Sequence, residues 1–162
     1  IRDIGVTGVQ TCALPIWNDG NECIMAYSKE VVDRFEKVLK NPKDFAVGKF
    51  DPQAPNVATA MVGAPACGDV MKLQLRLNDE GIINGVKFKT YGCGSAIASS
   101  SLFVDMLQGK TIEEAKQITN KEIAEALSLP AIKLHCSILA EEGIRKAIED
   151  WEGKVAKRKH NQ

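Results

Sequence analysis

The sequence has no excess of charge of either sign, because 21 Lys and Arg residues balance 21 Asp and Glu residues at a formal net charge of +0. This balance does not indicate a surface for nucleic acid or for an anionic membrane, and we expect neither partner. No apolar run approaches the roughly 20 residues that a transmembrane helix needs. The beginning of the chain also lacks the basic and apolar regions of a secretory signal, so we expect a cytoplasmic protein.

Cysteine occurs without the close pairs that are typical of many metal and redox motifs. The five cysteines form no Cys-x-x-Cys pair, and they are not accompanied by a secretory signal. In such a chain, thiols more often bind metal or react than form disulfides. The length of 162 residues fits one domain, and a hydrophobic fraction of 44% is enough for an ordinary core. We find no internal repeat.

Residues 1–24 differ from the rest of the chain because they show no sustained helical or strand period. We interpret them as a non-native or disordered leader, with a translation of sequencing-adapter DNA as one explanation, and exclude them from the predicted fold. A flexible native extension is the alternative. The expected divisions are the leader over 1–24, a domain over 25–153 and a flexible basic tail over 154–162. Cys12 and Cys23 receive no role.

The remaining chain predicts an α+β fold. Alternating apolar and polar residues indicate strands near 57–61, 71–77 and 86–88, joined by short turns as in an antiparallel meander. Helical spacing precedes and follows these strands. The sequence therefore predicts a small three-stranded antiparallel sheet with helices packed on one face, an N-terminal helix and a long C-terminal helix.

Caps and breaks set the expected helix boundaries. Ser28 is suited to cap the first helix, and Thr111 with Glu114 has the capping-box pattern. We expect Asn120 to cap the next helix. Residues 129–133 predict an extended break before the last helix.

Five residues from three distant segments carry thiol, carboxylate and imidazole groups: Cys67, Asp69, Cys93, His135 and Cys136. Cys93 and Cys136 lie at predicted helix starts, where the positive end of the helix favours the thiolate that binds metal. Glycines on both sides of Cys93 let the backbone approach a bulky inorganic group. If the segment around Cys67 is extended, its side chain and that of Asp69 point to the same side.

Each of these residues alone has an ordinary structural interpretation, as a buried small thiol, a hydrogen-bonded imidazole or a turn-forming carboxylate. The set as a whole favours a metal site. Three cysteines with a histidine or an aspartate suit tetrahedral zinc or an iron–sulfur cluster. Because carboxylate is a poorer ligand than thiolate for cluster iron, such a site should hold a cluster less firmly than four cysteines would.

Three segments, 61–74, 88–101 and 134–141, closely resemble the IscU-type iron–sulfur cluster assembly scaffolds of the IscU/NifU N-terminal family, and the similarity runs from Met25 to about Trp151. The resemblance implies a scaffold rather than an enzyme. Such a scaffold assembles a transient [2Fe-2S] cluster, and sometimes a [4Fe-4S] cluster, from iron and sulfur and transfers it to acceptor apo-proteins. Implied partners are a cysteine desulfurase, a ferredoxin, a frataxin-like protein, and an Hsp70-type chaperone with its J-protein.

The resemblance also implies roles for particular residues. The cluster-site positions of the family match Cys67, Asp69, Cys93, His135 and Cys136, and its persulfide-accepting cysteine matches Cys136. In the cluster-free form, the same site is compatible with zinc.

A chaperone-binding segment is implied as well. The segment of the family reads Leu-Pro-Pro-Val-Lys, and this chain has Leu129, Pro130, Ala131, Ile132 and Lys133. The resemblance implies Hsp70 binding with altered affinity, because the second proline is absent. Without the resemblance, an ordinary linker between helices is the simpler interpretation.

A second function remains open, namely a zinc-dependent sulfur acceptor of the SufU type, which acts as a sulfurtransferase. The adjacent His135 and Cys136 favour the scaffold, since the SufU branch lacks this histidine. A Cys/His hydrolase would need an oxyanion-stabilising pocket, which nothing in the sequence indicates.

Overall fold

The computed structural model describes residues 16–17, 23–24, 27–64 and 68–160 of the chain. The strands are β1 (Ile16–Trp17), β2 (Cys23–Ile24), β3 (Val57–Ala64), β4 (Asp69–Leu77) and β5 (Ile83–Tyr91). The helices are α1 (Lys29–Lys40), α2 (Gly94–Leu107), α3 (Ile112–Lys116), α4 (Asn120–Ala126) and α5 (Leu134–His160), and a 3-10 turn, Ala131–Lys133, precedes α5. The predicted α+β architecture is confirmed.

The central sheet has the strand order β3-β4-β5 and is antiparallel throughout. In β4, Met71, Leu73 and Leu75 are buried, whereas the side chains of Val70 and Arg76 are exposed, as alternation predicts. Strands β1 and β2 pair separately as a two-stranded antiparallel sheet. The prediction that residues 1–24 form a dispensable leader stays a prediction.

Two helices cover the sheet and complete the core. α5 packs across β3 and β4, while α2 packs on β5. Gly143 marks a close approach of α5 to the sheet, because a Cβ atom there would lie 2.4 Å from Cε of Met71. None of the helices in the described ranges is both long enough and apolar enough to span a membrane.

The sheet has two distinct ends. At the end where Asn78–Ile82 connect β4 to β5, which we call the hairpin end, the buried side chain of Gln74 is hydrogen-bonded at both its oxygen and its nitrogen. Gln74 Oε1 accepts the Phe50 N–H at 2.8 Å, and its Nε2 donates to Thr59 Oγ1 at 3.1 Å. Asp150 of α5 accepts the backbone N–H of Thr59, and Lys154 donates to the carbonyl of Val57. These two contacts satisfy backbone groups along the edge strand β3.

Helix caps explain most helix starts. Ser28 accepts the N–H of Val31, and Thr111 forms the predicted capping box with Glu114. The prediction that Asn120 caps α4 was wrong, because Thr119 is the cap. Thr119 forms a capping box with Glu122 three residues later, which makes it the better cap.

The segment between α4 and α5 is not the extended break that the sequence predicted. Pro130 has extended backbone angles, after which residues 131–133 form a 3-10 turn. Lys133 N–H donates to the Pro130 carbonyl at 2.8 Å and closes this turn. α5 then continues to His160, so the helix includes most of the expected basic tail. The flexibility assigned to 154–162 stays a prediction.

Candidate metal centre

Three elements bring four of the five predicted site residues together at the end of the sheet opposite the hairpin, which we call the thiol end. Asp69 is the first residue of β4, and Cys93 is the N-cap of α2. His135 and Cys136 lie in the first turn of α5. The fifth residue, Cys67, is outside the described residues, two positions before Asp69.

The carboxylate of Asp69 lies at the centre of this group, although the residue is only 1% exposed. Its Oδ1 accepts the backbone N–H of Cys93 at 3.0 Å. Its Oδ2 lies 3.6 Å from Sγ of Cys93 and 3.7 Å from Sγ of Cys136. One oxygen therefore fixes the carboxylate to the start of α2, while the other faces both thiols.

The thiols and the imidazole complete the donor set. The Sγ atoms of Cys93 and Cys136 are 3.6 Å apart, and Nε2 of His135 lies 3.9 Å from Oδ2 of Asp69. Two thiolates on one tetrahedral zinc ion lie roughly 3.8 Å apart, because Zn–S bonds are about 2.3 Å long. Ligand atoms of Asp69, His135 and Cys136 all lie within 4.8 Å of one another. The spacing suits a tetrahedral metal or a small cluster.

The imidazole of His135 has a ring nitrogen that is available to bind a further group. Its Nε2 is buried and has no hydrogen-bond partner in the part of the chain that the structure describes. A buried polar atom without a partner is unfavourable, and a bound metal ion would remove this penalty. This atom is therefore independent support for a metal centre.

The local environment favours ionisation of Cys93. The pKa of the Cys93 thiol is lowered to about 7, mainly by the hydrogen bond with Cys136, and the Ala96 N–H in the first turn of α2 acts in the same direction. Burial and the charge of Asp69 oppose this lowering of the pKa. The thiolate is the form that binds metal, so a substantial fraction of Cys93 is in the metal-binding form near neutral pH.

Sequence reasoning missed one residue that borders the site. Burial raises the pKa of the Tyr27 hydroxyl, and the charge of Cys93 raises it further. Nζ of Lys133 lies 5.6 Å from the centroid of the Tyr27 ring, a cation–π contact that lowers the same pKa by its charge. No local pattern marks Tyr27, because it is brought to the thiols by the packing of α1.

The predicted chaperone segment lies directly beside the thiol end. Leu129 is partly buried against the core, and its N–H donates to the carbonyl of Ala124 at 2.9 Å. Ala131 is exposed, and the side chain of Ile132 is not among those described. Lys133 connects this segment to the site through Tyr27.

The fold and these donors define a small α+β domain with a candidate metal centre at one end of its sheet. Residues 26–158 match the family described as "NifU-like N terminal domain". The chain belongs to this family, as the resemblance of its motifs indicated.

Characterised relatives support the same assignment. The chain is 57% identical over 130 residues to the iron–sulfur cluster assembly scaffold protein IscU of Azotobacter vinelandii, covering 80% of this chain and 97% of that protein. It is 58% identical over 130 residues to IscU of Escherichia coli K12, covering the same shares. It is also 51% identical over 158 residues to the mitochondrial iron sulfur cluster assembly protein 1 of Kluyveromyces lactis, covering 94% of this chain and 83% of that protein.

Solved structures share the fold at lower identity. The NifU-like N-terminal domain of Brucella abortus aligns with a TM-score of 0.57 at 18% identity, covering 78% of this chain and 94% of that chain. The SufU protein of Fervidobacterium islandicum AW-1 aligns with a TM-score of 0.60 at 19% identity, covering 74% and 94%. At these identities the likeness concerns the fold alone.

Proposed function

We propose that the protein is a scaffold on which iron–sulfur clusters are assembled and from which they are transferred, and that it is not an enzyme. The observation that carries this function is the convergence of Asp69, Cys93 and Cys136 within 3.7 Å of one another in a chain of this family. The cluster is the cargo of the protein. We propose that this cluster is of the [2Fe-2S] type.

The proposed ligands are Cys67, Asp69, Cys93, His135 and Cys136. Three thiolates supply the soft ligands that iron in a cluster prefers, and the carboxylate or the imidazole supplies a weaker fourth. Because a weaker ligand is exchanged more easily, this set suits a protein that must release its cargo. In the cluster-free protein, the same donors suit zinc.

Cys136 is the proposed acceptor of sulfur from a cysteine desulfurase. Its thiolate attacks the terminal sulfur of the donor's persulfide, the donor's S–S bond breaks, and the donor cysteine leaves as a thiolate. The persulfide on Cys136 then needs two electrons to release sulfide, which a ferredoxin would supply. A frataxin-like protein and acceptor apo-proteins complete the proposed partners.

The proposed Hsp70 segment, 129–133, must change conformation to bind in an extended groove. The turn closed by Lys133 N–H and the Pro130 carbonyl has to open, and Leu129 has to leave the core. Pro130 limits the entropy lost on binding, because its φ angle is already fixed. Replacing Leu129 and Pro130 with alanine should weaken binding to an Hsp70, with its J-protein present, and leave cluster assembly intact. Unchanged Hsp70 affinity would contradict the placement.

We also propose that the protein is located in the cytoplasm. The relative from Kluyveromyces lactis, at 51% identity, is a mitochondrial protein, so the test is the location of the tagged full chain in its own cell.

Anaerobic reconstitution with iron and a sulfide source tests the function. The full chain should develop visible absorbance of a [2Fe-2S] cluster and bind iron, and Cys93→Ser and Cys136→Ser should lose most of both. Cys12→Ser and Cys23→Ser are matched controls, which should load like the parent chain. Normal iron content and spectrum in both site variants would overturn the assignment.

The same experiment separates the scaffold from a zinc-dependent sulfur acceptor. A protein of the second kind would retain zinc, accept persulfide sulfur and form no cluster. Metal analysis after purification and after reconstitution distinguishes the two outcomes.

A further inference from the structure

Gly92 lies against the carboxylate of Asp69 more closely than any side chain could. A Cβ atom at this position would lie 2.1 Å from Oδ1, 2.6 Å from Cγ and 2.9 Å from Cβ of Asp69. The missing side chain of Gly92 leaves a recess, and the carboxylate fills it. We propose that Gly92 is a positioning residue, whose recess holds Asp69 in contact with the Cys93 N–H and both thiols.

No rotation of the Asp69 side chain can avoid a methyl group at Gly92. Rotation about Cβ–Cγ moves only the oxygens, and rotation about Cα–Cβ leaves Cβ in place, 2.9 Å from the new atom. The start of β4 and the turn before α2 therefore have to move apart. Such a movement breaks the 3.0 Å hydrogen bond from Cys93 N–H to Oδ1, which leaves a buried donor without its partner.

The other glycine beside Cys93 does not have this role. A Cβ atom at Gly94 would meet only ordinary contacts, 3.7 Å from the ring of Phe35 and 3.8 Å from Cζ of Tyr27. The two glycines of the Gly-Cys-Gly sequence therefore differ, since only the one before the cysteine has to be glycine for Asp69 to fit.

Backbone conformation is a second reason for glycine at this position, and it has to be separated from the recess. Gly92 has a φ angle of +155°, which other residues rarely adopt. Gly48 has the same φ angle of +155°, but a Cβ atom there would lie 3.7 Å from its nearest neighbour, Cδ of Lys87. Gly48→Ala thus measures the backbone effect without the clash.

Thermal unfolding of the cluster-free full chain tests the recess directly. Gly92→Ala should lower Tm by about 5 °C or more, beyond the loss in Gly48→Ala, and Gly94→Ala should change Tm by about 2 °C or less. In an Asp69→Ala background, which removes the two nearest clashing atoms, the loss caused by Gly92→Ala should fall to about half or less. An equal loss in both backgrounds would overturn the proposal.

A second experiment measures metal binding, which depends on the position of the Asp69 carboxylate, rather than the stability of the fold. Titration of the cluster-free protein with Co²⁺ alone reports thiolate ligation through charge-transfer absorbance. Gly92→Ala should weaken Co²⁺ binding by roughly tenfold, and Asp69→Ala should weaken it by a similar factor, while Gly48→Ala should bind like the parent chain. Parental affinity in Gly92→Ala would mean that the recess does not position Asp69.

This binding arm rests on the proposed function, whereas the thermal arm does not. If the parent chain gives no thiolate-to-cobalt signal, the metal centre itself is misassigned. If the parent chain binds and Gly92→Ala behaves like Gly48→Ala in both arms, only the role of Gly92 fails.

Discussion

At the hairpin end of the sheet, the buried amide of Gln74 is bonded at both of its polar atoms over 2.8 and 3.1 Å. At the thiol end, the equally buried carboxylate of Asp69 has one hydrogen bond of this length and two sulfur contacts of 3.6 and 3.7 Å. Both residues belong to β4 and both are 1% exposed.

The two ends of β4 show how one strand can serve stability and function together. Short bonds between fixed partners hold the hairpin end in one arrangement, because breaking them would leave buried polar groups unpaired. Long contacts between ionisable, metal-binding groups leave the thiol end able to accept a ligand. A buried polar group is therefore structural or functional according to its partners rather than its burial.

Disrupting the hairpin end should have the largest effect on stability. Gln74→Ala removes both side-chain bonds and leaves a cavity, so the free energy of unfolding should fall by about 2–4 kcal/mol. Urea denaturation measures this loss. Iron loading per folded molecule should stay at the parental value; a loading defect as large as that of Cys136→Ser would show that the two ends are not separate.

Removing the carboxylate at the thiol end should affect release more than stability. Asp69→Ala should keep much of the fold but retain a preloaded cluster longer, because the weak oxygen ligand that can swing away from iron is gone. We expect transfer to an apo-ferredoxin to slow by roughly tenfold.

Measuring the Tm of Asp69→Ala and of the parent chain shows whether unfolding contributes to any difference in transfer rate. Transfer at the parental rate, or a difference explained by unfolding alone, would leave Asp69 without a role in release.

The lowered pKa of Cys93 predicts a smaller effect that depends on pH. The folded protein has a pKa of about 7 at this thiol, below the ordinary value of 9.0, so the unfolded chain binds more protons between these values. The contribution of Cys93 to stability should be fully present above pH 9 and be lost as pH falls through 7.

Melting curves of the metal-free protein and of Cys93→Ala between pH 6 and 9.5 measure this contribution. The difference in Tm between them should widen as pH rises. A difference that is constant across this range would contradict the assigned pKa.

The smallest change is expected on removal of residues 1–24, to which no part of the proposed site is assigned. A chain that begins at Met25 should match the full chain in Tm and in iron loading, since the leader shows no sustained period and the family match begins at residue 26. A clear drop in either quantity would make the leader a structural element.

Much of the fold could be predicted because its signals are local. The alternation of Met71, Leu73 and Leu75 identifies a strand with one buried face, and Thr111 with Glu114 identifies a helix start. The cap of α4 was misplaced by one residue because Thr119 and Asn120 are both good caps. Only the pairing with Glu122 distinguishes them.

The site was predicted residue by residue, but its internal arrangement was not. Thiols, carboxylate and imidazole have recognisable chemistry, so Asp69, Cys93 and Cys136 could be named from the sequence. The recess at Gly92 and the approach of Tyr27 depend on how β4, β5, α1 and α2 pack, and no spacing along the chain encodes those distances. The turn at 131–133 was missed because proline signals a break without specifying its shape.

α5 joins the two ends of the molecule. At 1.5 Å per residue, its 27 residues extend for about 40 Å. Asp150 and Lys154 anchor it to β3 at the hairpin end, and Gly143 rests on Met71 near its middle. The first turns of α5, which carry His135 and Cys136, are held as well, because Cys136, Leu139 and Ala140 are each 2% exposed or less. Because one continuous helix makes contacts at both ends, a shift of α5 along the sheet would change the hydrogen bond to Thr59 at the hairpin end and the distances from Cys136 to Asp69 and Cys93 at the thiol end.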